Sequence, residues 1–262
     1  MDTIQLSEGL RMKRLFIAAI LSVFVVSSLF AAEAFVWRTE RQSGFSPQET
    51  LKFNVRWQFI TVGSASMEVR GIDAINGRLA YHIYTEAKTA AFFDNFYKVR
   101  DTNESWIDIQ SLCSLQFASH ISEAGHRRDE TLIFHHPRQQ YSIVESSKSG
   151  TTPLWVQDVL SALYYIRCQE LVVGKEFSVD AQSGDKAWPL KVKVLKKEKV
   201  KVDAGTFDCF VVEPAVREGA GLFQAKGKLW VWLTADDRKL PVLMKSKIAV
   251  GSIAAELAEM KY

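Results

Sequence analysis

Chemistry in a chain of 262 residues has to come from clustered donors, acids or nucleophiles, and His135-His136-Pro137 is the most tempting metal-binding cluster here. Neighbouring residues of a strand point to opposite faces, so the two imidazoles are poorly placed to chelate one ion. The H-E-x-x-H and H-x-x-E-H patterns, which put two imidazoles on one helix face, do not occur. The pair reads as a strand end ahead of Pro137, and no metal is expected. Gly-x-Ser-x-Gly, Walker A and G-x-G-x-x-G patterns are also absent, and Ser161 falls inside a helical pattern, away from any strand-to-helix elbow. No cofactor is therefore expected. A hydrolase built on this chain would draw on Asp101, Glu104, Asp158 or Arg167, and would need two of those carboxylates facing one cleft. The charged run Glu123, His126, Arg127, Arg128, Asp129, Glu130 reads as a solvated hairpin edge, with a contact site for a partner or glycan as the sharper alternative.

Apolar and aromatic residues suggest a different chemistry. Phe92, Phe93, Phe96 and Tyr97 cluster after Ala90-Ala91, and Phe223 sits in a glycine-rich stretch that begins Glu218-Gly219-Ala220-Gly221. Such rings are either core or the lips of a cavity for an apolar ligand. At 100° per residue, Val156, Val159, Leu160, Leu163 and Arg167 share one side of a helix. An arginine on an apolar stripe must snorkel out, meet a carboxylate, or contact a ligand headgroup. Phe92, Phe93, Phe96, Tyr97, Arg167 and Phe223 are accordingly the candidate ligand contacts. Cys113, Cys168 and Cys209 are widely spaced with no C-x-x-C, and read as free, buried, small hydrophobes.

Strand alternation positions these residues. Leu51, Phe53, Val55 and Trp57 alternate with polar residues, Val62–Val69 continues, and Asn76-Gly77 supplies a hairpin turn. Further strands are predicted over 79–84, 103–109, 115–122, 128–135, 140–145, 176–181, 190–201, 207–213, 227–233 and 242–250. One long helix is predicted over 153–171, capped by Thr152 and stopped by Gly174. The predicted fold is mainly β, a large curved antiparallel sheet or incomplete barrel. Its halves, at about 45–150 and 174–262, are joined by one central α-helix. A faint echo between the tracts that begin at Phe96 and Phe223 supports two related halves.

The N-terminus predicts an address. Basic Arg11, Lys13 and Arg14 precede an apolar run from Leu15 to Ala32 that ends in Ala32-Glu33-Ala34. That order describes a secretory signal peptide over 1–34, cleaved after Ala34, with an uncleaved inner-membrane anchor as the alternative. The remaining 35–262 reads as a single β-rich periplasmic domain without nucleotide cofactors. A formal net charge of +3, mixed along the chain, does not call for nucleic acid but allows transient contact with an anionic membrane surface.

Leu51-x-Phe53-x-Val55 with Val62-Gly63-x-Ala65, Tyr97–Asp101, Val156–Arg167, Ala204–Phe207, Gly227–Leu233, Leu240-Pro241-Val242 and Val250–Ile253 together resemble a known pattern. It is that of the bacterial exported proteins of domain-of-unknown-function family 3108. The resemblance implies a β-rich secreted or periplasmic protein and brings no catalytic residues with it. The leading expectation is a non-enzymatic binder or carrier of a lipid-like envelope molecule. A cell-envelope hydrolase and an envelope assembly scaffold are the alternatives.

Overall fold

Side-chain alternation along the chain produces fourteen strands among the described residues, all in one sheet. The computed structural model describes residues 34–215, 228–247 and 251–262. Apart from Ala34, the expected signal peptide lies outside them, as does Phe223.

The first half runs β1 Thr50–Trp57, β2 Ile60–Ile75, β3 Arg78–Thr89, β4 Arg100–Asp108, β5 Ser114–Glu123, β6 His126–His135, β7 Gln140–Ile143 and β8 Lys148–Thr151. Helix α1, Val159–Arg167, follows. The second half runs β9 Glu176–Ser183, β10 Lys186–Val202, β11 Gly205–Pro214, β12 Leu229–Thr234, β13 Pro241–Lys247 and β14 Ser252–Lys261. Each half is an antiparallel meander. Asn76 and Gly77, at φ 51° and 78°, make the tight β2–β3 turn that their residue types predict.

The halves meet where β14 pairs with β1, from Thr50 opposite Lys261 to Trp57 opposite Ile253. The sheet is then continuous from β8 to β9, and these two edges do not pair, so the barrel stays open. The segment before α1 ties the wall together instead. Ser114 N donates to Val156 O at 3.1 Å, Gln157 N to Asp180 O at 2.8 Å, and Gln182 N to Gln157 O at 2.8 Å. That tie corrects the predicted helix start. Residues 154 and 155 make a turn, with Trp155 at φ 60°, and Val156 and Gln157 are then held by hydrogen bonds to β5 and β9, so Pro153 and Thr152 never open a helix. Asp158 caps instead, its Oδ1 accepting from Leu160 N at 2.7 Å and Ser161 N at 2.9 Å. The helix also ends earlier than predicted, at a Cys168 cap, and Gly174 serves a later turn at φ 83°. Strands β8 and β14 have no counterpart among the predicted strands, and β8 is too polar to show an apolar alternation.

The inner faces of the strands pack on α1. Leu51, Met67, Leu257 and Leu233 of the sheet and Leu160 and Tyr164 of the helix belong to one buried cluster, within a compact unit spanning 37–262. Ionisable side chains are buried there as well, Asp158, Arg167 and Glu49 among them. The Asp158 Oδ2 accepts from Ser105 Oγ at 2.6 Å on β4 and from Ser114 Oγ at 2.5 Å on β5. At the other end of the helix, Arg167 is fully buried. Its Nη1 and Nη2 donate to Glu49 Oε1 and Oε2, both at 2.7 Å, and Nη2 also donates to Gly44 O at 2.7 Å. This is a bidentate pair enclosed in the core, the arrangement that an arginine on an apolar stripe demands if it is not to snorkel.

Breaking one side of this pair strands the other charge. Arg167→Met should cost about 3–5 kcal/mol in urea unfolding. Adding Glu49→Leu to that variant should recover part of the loss, and a double variant no better than the single would contradict this account.

Candidate functional site

The space between the concave face of the sheet and α1 is a cavity of about 1040 Å³. Strand parity decides its lining, because only every second residue faces inward. Phe53, Ala65 and Met67 form one wall and Leu190, Val212, Val231 and Met244 face them, with Val159, Leu160, Leu163 and Ile166 of α1 on the helix side. Gly63 is required where the wall is tightest, since a Cβ there would fall 2.2 Å from Lys88 O.

The mouth lies at the end of the sheet where the β3–β4 loop turns. Asp94 organises that loop: its Oδ2 accepts from Arg100 Nη2 at 2.6 Å and its Oδ1 from Thr89 Oγ1 at 2.5 Å. These hydrogen bonds hold the Asp94 carboxyl below the usual carboxylate range. The loop carries Phe92, Phe93, Phe96 and Tyr97, all of which contribute to the cavity lining. Phe92 packs edge-on against Phe93 at 5.2 Å and tilted against Phe96 at 5.7 Å. Yet Phe92 and Phe96 remain 69% and 75% exposed, so apolar surface runs unbroken from solvent into the cavity.

One wall differs from the rest. On β3 and β4 the inward residues include Thr85, Asn103 and Asp101, all buried and all lining the cavity. Thr85 stands directly opposite Asn103, and Asp101 opposite Ala87. The Thr85 hydroxyl oxygen is buried without a hydrogen-bond partner among the described residues. Asp101 Oδ1 accepts from Ser122 N at 2.8 Å. Burial, and to a lesser degree the neighbouring Glu123, push the Asp101 carboxyl up to about 6. Glu123 accepts in turn from Tyr97 Oη at 3.1 Å. Chemically, the Asp101 carboxyl can hold a proton up to about pH 6 and act as donor or acceptor to a guest.

The structure thus brings Phe92, Phe93, Phe96 and Tyr97 together at the mouth. Arg167 is elsewhere, occupied by Glu49, and does not line the cavity; its position on the apolar stripe reflects the buried ion pair. Thr85, Asn103 and Asp101 were not among the candidate ligand contacts. Their only signal in the sequence is polar residues at inward parity, which a strand of unknown facing cannot reveal.

The other candidate groups disperse. Glu104 lies on the outer face of β4, 2.6 Å from His82 Nε2, while Asp158 is spent on the helix cap and Asp101 faces inward. His136 is buried, with Nε2 2.8 Å from Ser114 O and Nδ1 accepting from Trp155 N at 3.2 Å, so both ring nitrogens serve the fold. Cys113, Cys168 and Cys209 are free thiols, and burial pushes Cys113 up to about 12. Among the described residues no helix is long and apolar enough to cross a membrane.

A family model described as protein of unknown function (DUF3108) matches residues 52–258. No curated protein matches the chain. Among solved structures, the chain is similar to a β-barrel-like protein of domain-of-unknown-function family DUF1849 from Brucella abortus. The match has 8% identity and a TM-score of 0.52, covering 82% of this chain and 97% of the other. At that identity the likeness shows the fold alone. A candidate lipoprotein from Parabacteroides distasonis matches at 11% identity and TM-score 0.35, over 87% of this chain and 100% of its own. A candidate exported protein with a YmcC-like fold from Bacteroides fragilis matches at 12% and 0.34, over 87% and 100%.

The raised pKa of Asp101 gives a signed prediction. A carboxyl whose folded pKa exceeds its unfolded value contributes stability at low pH that is lost as pH rises through about 6. Asp101→Asn should therefore melt higher than the parent at pH 8, by about 2–4 °C for each kcal/mol relieved. The advantage should shrink below pH 6. A pH-independent difference in melting temperature would refute the assignment.

Proposed function

We propose that this protein, which belongs to the DUF3108 family, is an exported periplasmic binder or carrier of an apolar or amphipathic envelope molecule. The observation that carries the reading is the cavity of about 1040 Å³, apolar on most of its surface and open through a mouth of exposed aromatic rings. Protein interiors are normally close-packed, and a space this large would forfeit many contacts if it served only as core. Its volume is at the upper end of the range of ligand pockets, about 300–1,000 Å³. Apolar walls suit hydrocarbon better than water. The signal-peptide pattern at the N-terminus supports an exported setting in which such molecules occur.

A carrier must also load, and the mouth is shaped for a lipid surface. Phe59 and Ile60, at the β1–β2 turn, are 92% and 53% exposed. That turn and the aromatic β3–β4 loop share one end of the sheet, joined where Ala90 N donates to Val62 O at 2.9 Å. Exposed Lys98 stands beside Tyr97 on the same loop and complements anionic headgroups. The hydrolase reading has less support, because Asp101, Glu104, Asp158 and Arg167 do not converge. The scaffold reading needs an apolar patch with no cavity behind it.

Native mass spectrometry of protein purified from its own envelope should show a bound species of lipid mass. Delipidated protein should bind N-phenyl-1-naphthylamine with increased fluorescence. Protein that carries no ligand and leaves the dye dark would overturn the proposal. In flotation with phosphatidylglycerol-containing vesicles, Phe59→Ser with Ile60→Ser should lower binding by about tenfold or more, from the lost burial of two large side chains. Neither residue lines the cavity, so dye binding should persist. Unchanged flotation would rule out this rim as the lipid contact.

A further inference from the structure

The cavity is not uniformly greasy, and buried polar side chains are concentrated on the wall of β3 and β4. Thr85 of β3 and Asn103 of β4 face each other across the ladder, 6% and 3% exposed, within the cavity lining. Asn103 in turn stands opposite Ser119 of β5, so the inward polar row continues one strand further. Two residues nearer the mouth, Asp101 follows on the same face, and Glu123 and Tyr97 complete the path to solvent.

A buried hydroxyl without a partner costs free energy of about 1–3 kcal/mol. The Thr85 oxygen is in that state among the described residues. Ser105, the next inward position on β4, shows how the fold treats such groups elsewhere: its hydroxyl donates to Asp158 at 2.6 Å. Thr85 has no such protein partner, and it faces the space that a guest would fill. The walls of β10 to β13 are mainly apolar, with Leu190, Val212, Val231 and Met244, and their polar members are Ser246 and the Trp188 indole N–H. A guest that satisfies this site is hydrocarbon on one side and hydrogen-bonding on the other.

The charge of that polar group follows from the lining. The ionisable side chains on the inner path are carboxylates, Asp101 and Glu123. Lys88 contributes to the lining, but its ammonium lies 3.3 Å from Glu86 on the outer face of β3. A carboxylate or phosphate head would meet like charge without a free cation to offset it.

Resting on the carrier reading above, we infer that the cavity selects an amphiphile with an uncharged, hydrogen-bond-donating head and seats that head against Thr85, Asn103 and Asp101. Its hydrocarbon chain lies along the β10–β13 wall. The head donates to the Thr85 and Asn103 oxygens and to the Asp101 carboxylate, and the Asn103 amide can donate back. Pockets that hydrogen-bond a polar group discriminate strongly, because the wrong guest leaves buried groups unpaired.

Displacement of N-phenyl-1-naphthylamine from the delipidated full chain tests this with two guests of equal chain length. At pH 7.5 and below their aggregation concentrations, 1-monolaurin should displace the dye at a concentration at least tenfold lower than laurate. Thr85→Val with Asn103→Leu should bring the two within about twofold, each displacement being scaled to that variant's own dye affinity. The isosteric Thr85→Val alone, which keeps the wall volume, should narrow the ratio by several-fold. Equal displacement by both guests in the parent chain, or an unchanged ratio in the variants, would overturn the head-selection inference and leave the carrier reading standing. A chain that binds neither dye nor guest would bring down the carrier reading itself, and this inference with it.

Discussion

The structure depends on pinning one short helix inside a sheet that does not close. A sheet of fourteen strands whose edges β8 and β9 do not pair with each other lacks the continuous strand ladder that fixes the curvature of a closed barrel. Here the curvature is set by what the strands must reach. Asp158 collects two backbone amides of α1 and two serine hydroxyls, from β4 and β5, on a single carboxyl group. Nine residues later Arg167 engages Glu49, which precedes β1, and the carbonyl of Gly44. Both ends of the helix are thus bound to the first half of the sheet. The extended residues just before it are bound to β9 in the second half.

That arrangement explains how a cavity and a stable core coexist. The helix is too short to fill the concave face. Tyr164 and Phe45 pack edge-on at 4.9 Å beside the Arg167 pair, making one end of the molecule dense. At the mouth of the cavity the β3–β4 loop, held by Asp94 and Arg100, keeps its rings at the rim. The protein therefore separates two tasks along its axis. Rigidity is concentrated in enclosed charges and packed aromatics, and open apolar surface is concentrated where the sheet turns back.

Much of the architecture was legible from the chain. Period-two alternation in Leu51–Trp57 or Lys191–Lys201 is a local property, and it forces a strand wherever one face is buried. Asn76-Gly77 states its turn in two residues. The aromatic run after Ala90-Ala91 stood out as a candidate because four rings in six residues are too many for an ordinary loop. Helix boundaries were less legible. Thr152-Pro153 is a sound local start, but a turn at 154–155 and hydrogen bonds from β5 and β9 to Val156 and Gln157 delay the helix, and such long-range competition leaves no local mark. The partner of Arg167 was equally hidden: the helix pattern allowed snorkelling, a carboxylate or a ligand headgroup, and nothing nearby in sequence points to Glu49.

By itself, then, the sequence determined the class of the protein: a mainly β chain of antiparallel meanders, interrupted by one helix, with an export-like N-terminus. These follow from periodicity, turn chemistry and composition, which act over a few residues. Only the tertiary structure decided that β14 returns to β1, that the sheet stays open, and that Arg167 is an internal tie away from the cavity. It also decided that Thr85, Asn103 and Asp101 look into the same space. The reason is physical. Which face of a strand is inward depends on register with neighbours far along the chain, and a shift of one residue would turn every one of those groups to solvent.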